Sequence, residues 1–141
     1  MLASHIVALV LAAVFAALAA LHVYWALAGQ AGGATIPTRA DGTMLFRPSA
    51  AATLTVAGAL LAAVIVVLGR GGVAALPIAP ALYRVGAWGL GIVLCLRAIG
   101  DFRYVGAFKR ERRSAFAQRD TTLYSPLCAA LAAGVLYLAA A

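Results

Sequence analysis

MLASHIVALVLAAVFAALAALHVYWALA, residues 1–28, contains no Lys, Arg, Asp or Glu, and the uncharged run extends to Thr38. A hydrocarbon core of about 30 Å is crossed by about 20 such residues in a helix. Ala3 to Ala28 therefore reads as a membrane span. A secretory signal is the rival reading, since Ala26-Leu27-Ala28 before Gly29 imitates a small-residue cleavage site. The segment has no basic leading region and exceeds the usual length of a signal's apolar stretch, so the span is preferred.

The rest of the 141-residue chain is of the same kind. Apolar residues make up 65% and charged residues 11%, against about 45–50% and about 25% in an ordinary soluble domain. Soluble globular, disordered and disulfide-scaffold classes are excluded. A second uncharged stretch, 49–68, lies between Arg47 and Arg70, with Pro48-Ser49 at its entry and Gly69 at its exit. The third, 82–100, contains Arg84 and Arg97, which must sit near opposite interfaces with their heads extended outward. The fourth, 125–141, is expected to begin at Ser125-Pro126, a cap followed by proline at the first helical position. Its 17 residues are short for a span, so local thinning or an upright helix is expected. The fold class is thus all-α: one domain, 1–141, an integral membrane four-helix antiparallel bundle.

Four spans place both termini on one side. The loops 29–47 and 101–124 share the other and hold eight basic residues: Arg39, Arg47, Arg103, Lys109, Arg110, Arg112, Arg113 and Arg119. Short basic loops are retained in the cytoplasm, which predicts an inner-membrane protein with both ends outside. The net charge of +7 then reports orientation; a nucleic-acid partner is not expected, since no recognition motif accompanies the charge. Asp41-Gly42 between short extended runs predicts a small hairpin or flap in the first loop, although Pro37 weakens it. In the second, Phe102, Tyr104, Val105, Phe108 and Phe116 among six basic residues suit a helix lying at the interface. Gly58 with Ala62, and Ala87 with Gly91, have the spacing that lets membrane helices approach closely.

Several polar and aromatic groups fall at one depth, near the cytoplasmic ends. His22, Trp25 and Gly29 share a helix face, as do Arg97, Asp101, Tyr104 and Phe108 if the third helix continues past Gly100. Arg97 and Asp101 would then pair along that helix, with His22 beside them. Ionisable groups at membrane depth are candidates for function, so His22, Trp25, Arg97, Asp101 and Tyr104 form the candidate ligand site. The competing reading is structural: Arg97 extending to the interface, Tyr24 and Trp25 anchoring it, Asp101 capping a basic loop.

Some chemistries are excluded more firmly. His5 and His22 lie about 25 Å apart along one helix, so one metal or haem cannot use both. Cys95 and Cys128 occupy different spans and read as small buried fillers. Phosphate-binding and dinucleotide fingerprints are absent, and no cofactor or metal is expected. A proton-driven exporter needs a titrating group inside a span, whereas Asp41, Asp101, Glu111 and Asp120 all fall outside the spans' middles.

Leu96-Arg97-Ala98-Ile99-Gly100-Asp101-Phe102-Arg103-Tyr104-Val105-Gly106, followed by Phe108-Lys109-Arg110, resembles a bacterial membrane-protein family catalogued as domain of unknown function 3995. His22-x-Tyr24-Trp25-Ala26, Pro37, Gly42, Phe46-x-Pro48, Phe116-Ala117, Asp120-Thr121 and Tyr124-Ser125-Pro126-Leu127-Cys128 extend the resemblance over essentially the full length. Ala107 departs from it, since relatives usually have an aromatic residue there. The resemblance implies a small four-span membrane protein and no particular activity. The expected function is therefore a small polytopic membrane protein that binds a lipid-like or quinone-like ligand at the cytoplasmic leaflet. The alternative is an accessory or structural subunit that partners another membrane protein or a second copy; a small transporter is weaker.

Overall fold

The computed structural model describes residues 1–29, 35–39, 41–74 and 76–141. Four helices in it are long and apolar enough to cross a membrane: α1 (Leu2–Ala28), α2 (Ala50–Arg70), α3 (Pro80–Ile99) and α4 (Ala115–Ala140). Local chemistry sets their limits. Ser49 caps α2 by accepting the Ala52 N–H at 3.1 Å, and Pro80 opens α3 at a position where its missing N–H costs nothing.

The fourth helix departs from the expectation of a short span starting at Ser125. It begins ten residues earlier, where the Ser114 side chain accepts the Ala117 N–H at 3.1 Å. Pro126 is internal to it, and the chain tolerates this through a π-helical turn at Asp120–Tyr124, in which the Ser125 N–H reaches back to the Asp120 carbonyl. The widened turn relieves the clash that a proline ring makes with the preceding turn. With 26 residues, α4 needs no thinning of the bilayer.

Packing is strongest between α1 and α2 and between α3 and α4; α2 touches α3 and α1 touches α4 less extensively. Phe15 of α1, Val67 of α2, and Val135 and Leu138 of α4 form the fully buried centre. Gly91 lets α3 approach α4, since a Cβ there would collide with the Leu136 side chain. The other expected close-packing pair is not used internally: Gly58 and Ala62 are both exposed on α2. Large apolar side chains such as Ile6, Leu61, Leu82, Val85 and Val93 also point outward, as lipid-facing positions must.

Burial along α1 stops at Ala19. Beyond it the helix is less tightly covered, and this end, shared by the start of α2, the end of α3 and the start of α4, carries the polar groups discussed next.

Candidate functional site

His22 lies on the last turns of α1. Its Nδ1 is 2.7 Å from the Leu18 carbonyl, which can only accept, so Nδ1 carries the proton. In the neutral ring Nε2 is then an acceptor. Trp25 meets the imidazole edge-on, with centroids 5.1 Å apart and planes at 62°. Facing them is the first loop, where Thr38 and Met44 form the single antiparallel bridge among the described residues. Backbone bonds from Leu45 N–H to the Pro37 carbonyl and from Arg39 N–H to the Thr43 carbonyl close this flap. Asp41 accepts both the Thr43 hydroxyl and the Thr43 N–H, and these bonds hold its carboxyl below the ordinary value. The expected hairpin is thus present in minimal form; the run Gln30-Ala31-Gly32-Gly33 lies outside the described residues.

The flap buries Ile36 but leaves space beside it. A cleft of about 220 Å³ is lined by His22, Trp25, Phe46, Thr53 and Val56 among others. An adjoining cleft of about 270 Å³ shares Trp25, Ile36, Pro48 and Thr53 and brings in Arg47. The walls are apolar and aromatic, with one acceptor at His22 and one cation at Arg47.

Arg97 is elsewhere. Its helix ends at Ile99 instead of running on, so the expected Arg97–Asp101 pair does not form. Arg97 donates to Asp120 Oδ1 at 2.8 Å. The other carboxylate oxygen accepts the Gly106 N–H at 2.7 Å and Lys109 Nζ at 3.0 Å. Lys109 also donates to the Gly106 carbonyl at 2.9 Å and to the Thr121 hydroxyl at 2.7 Å. Asp120 is fully buried and the Lys109 side chain is 1% exposed, a depth at which unpaired charge would be prohibitive. This latch ties loop 100–114 to the ends of α3 and α4.

Asp101 has a third role. Its Oδ1 accepts the N–H groups of Arg103, Tyr104 and Val105 at 2.7–2.9 Å. Partial burial acts to raise its pKa, but the bonds from Val105, Arg103 and Tyr104 outweigh it and hold the carboxyl below its ordinary value. By drawing these amides to itself, the carboxylate diverts them from a helix, so the expected interfacial helix is an irregular loop through residue 113. Gly100 and Gly106, with φ of 91° and 92°, cross so closely that a Cβ on either would strike the other segment's backbone. The loop then returns to the end of α3, where the Ala107 N–H meets the Ala98 carbonyl at 2.8 Å. Tyr104 lies under Arg103, whose guanidinium is 5.1 Å from the ring centre.

The five expected site residues therefore occupy three places: His22 and Trp25 share the cleft, Arg97 joins the latch, and Asp101 and Tyr104 shape the loop. Arg47, Asp120 and Lys109 are the additions. Asp120 was findable: Ser114 followed by Ala115-Phe116-Ala117-Gln118 has the form of a capped helix start, which moves Asp120 from a loop onto a helix. Among the described residues, no three His, Cys, Asp or Glu side chains are grouped to hold a metal.

Comparison with known proteins follows the same limits. The family model described as "Protein of unknown function (DUF3995)" matches residues 15–135, and the chain belongs to that family. No curated protein and no solved structure matches it. The matched span contains both the His22–Trp25 cleft and the Asp120 latch.

Proposed function

We propose that this member of the DUF3995 family is a membrane-embedded binding protein for an amphiphilic small molecule, lipid-like or quinone-like, held in the cleft between α1, α2 and the first loop. The single observation that carries this reading is the cleft's chemistry: an aromatic and aliphatic wall that ends in one acceptor, His22 Nε2, and one cation, Arg47. Such sites hold an apolar body by contact and orient it by a few polar groups. A hydroxyl of a quinol or glycerolipid would donate to His22 Nε2; a carbonyl or phosphate would accept from Arg47. Nothing in the cleft supplies a nucleophile with its base, so the reading is of binding and not of catalysis. With basic loops retained inside, the cleft would open toward the cytoplasmic leaflet of a bacterial inner membrane, and both termini would lie outside.

The test uses the full chain in detergent with two probes, a short-chain benzoquinol and a lysophospholipid, each titrated against tryptophan emission. Saturable quenching or enhancement by one of them, weakened about tenfold in His22→Ala, is the expected result (about 1.4 kcal/mol). Linear, unsaturable responses to both would overturn the reading.

Exposed Gly58 and Ala62 on α2 favour a second reading, in which a neighbouring membrane helix docks there and the chain is a subunit. Crosslinking from Ala62→Cys in native membranes that yields only monomer counts against it.

A further inference from the structure

The loop 100–113 bears features that neither the cleft nor the latch uses. Arg103, Arg110, Arg112, Arg113 and Arg119 are exposed, and both ion pairs among the described residues end on Asp120. No acid of the described chain therefore neutralises any of the five arginines. The two acids nearby are already engaged: Asp101 by its three backbone donors, and Glu111 by the Arg113 N–H at 2.8 Å.

Among these cations stand two exposed aromatic rings, Phe102 and Phe108, with centroids 6.5 Å apart. Phe102 is also the one non-glycine residue among those described with positive φ, at 61°. A bulky side chain in that region is disfavoured, and the conformation persists because Asp101 clamps the amides that follow it. The outlier keeps an apolar ring outside the fold, where water would penalise it. Phe102 is three residues beyond the end of α3, whose own Leu96 and Ile99 point outward, so the ring continues a lipid-facing surface at the depth where the hydrocarbon gives way to head groups. Between Phe102, Arg103, Tyr104 and Arg110 the loop forms an open groove of about 660 Å³.

We propose that this loop is a preformed anchor for anionic phospholipid head groups, with Phe102 and Phe108 entering the acyl boundary and Arg103, Arg110, Arg112 and Arg113 meeting phosphates. The occupant is the leaflet itself: paired aromatic rings have no use for a free anion, and unneutralised arginines have no use for a neutral lipid. The latch supplies rigidity, since Lys109, buried beneath the arginines, holds the loop by its backbone at Gly106.

The experiment reconstitutes the full chain in vesicles of phosphatidylcholine containing a minor fraction of spin-labelled phosphatidylglycerol or spin-labelled phosphatidylcholine, and compares their motionally restricted fractions. Wild type should prefer the anionic label by about fivefold or more at low salt (about 1 kcal/mol per arginine). Arg103→Gln/Arg110→Gln/Arg112→Gln/Arg113→Gln should bring the ratio close to one. No preference in wild type, or the same preference in the variant, overturns the proposal, as does displacement of the label by inorganic phosphate at constant ionic strength. Should the quadruple variant fail to fold, Phe108→Trp decides: its added emission is quenched by lipid brominated high on the acyl chain if the ring is inserted. Absence of that quenching also overturns the proposal.

Discussion

At one end of the molecule, two polar regions solve the problem of charge at membrane depth in opposite ways. Around Asp120 every strong donor finds an acceptor: two cations and a backbone amide converge on one carboxylate, and Lys109 spends its donors on a carbonyl, a carboxylate and a hydroxyl. Around His22 the only polar bond of the ring is to its own helix, and the surrounding space is left open. A closed, mutually satisfied network fixes backbone and leaves no valence for a ligand, whereas a half-satisfied ring beside a cavity does the reverse. The latch holds structure, and the cleft is where binding belongs.

The sharpest way to break this contrast is at Asp120. Asp120→Ala leaves Lys109 buried without its counter-charge, which costs about 3–5 kcal/mol; thermal unfolding in detergent should show a drop large enough to threaten expression. If Asp120→Ala melts like wild type, the latch is not structural. Lys109→Met is milder because Arg97 and the Gly106 amide still serve the carboxylate. It removes three hydrogen bonds from a buried site, and a loss of about 2 kcal/mol is expected in the same assay.

The two regions also differ in how far the sequence disclosed them. Four spans were legible because lipid demands long uncharged stretches, and three of the helices begin and end within about two residues of the sequence reading (allowing the usual boundary scatter). Asp120 was hidden by Pro126: a proline after serine looks like a helix start, and only the π-helical turn shows how the ring is carried inside a longer helix. The Arg97–Asp101 pairing failed for a related reason. Spacing of four residues joins side chains only while the helix lasts, and Gly100 with Asp101 ends it. His22 and Trp25 were legible together because both lie on one uninterrupted helix, but Arg47 and Ile36, which complete the cleft, arrive from a loop whose course no periodicity encodes.

In the cleft, effects on stability and binding should separate. His22→Ala removes one hydrogen bond that a local carbonyl can replace with water, so unfolding should shift by less than about 1 kcal/mol, in contrast to Asp120→Ala. Binding of the quinol or lysolipid probe should nonetheless weaken about tenfold. Parallel losses in both readouts would mean that the cleft is a structural element like the latch, and the distinction drawn between them would fall.

The smallest effect is expected at Asp101, which resembles the latch in being fully engaged but lies exposed outside the helices. Its carboxyl is held below the ordinary carboxylate value by Val105, Arg103 and Tyr104 against a raising effect of burial. A lowered folded-state pKa stabilises the loop above the unfolded value of about 3.9, and this stabilisation is lost as pH falls through the folded one. Amide hydrogen exchange at Arg103, Tyr104 and Val105 should therefore show protection that is constant from about pH 5 to 8 and declines below about pH 4. Asp101→Ala should abolish that protection at every pH while leaving global unfolding nearly unchanged, because the Asp120 latch still holds Gly106. Protection that survived in Asp101→Ala would mean that the latch alone shapes the loop. Phe102 would then owe its outward turn to the crossing of Gly100 and Gly106 and not to the carboxylate beside it.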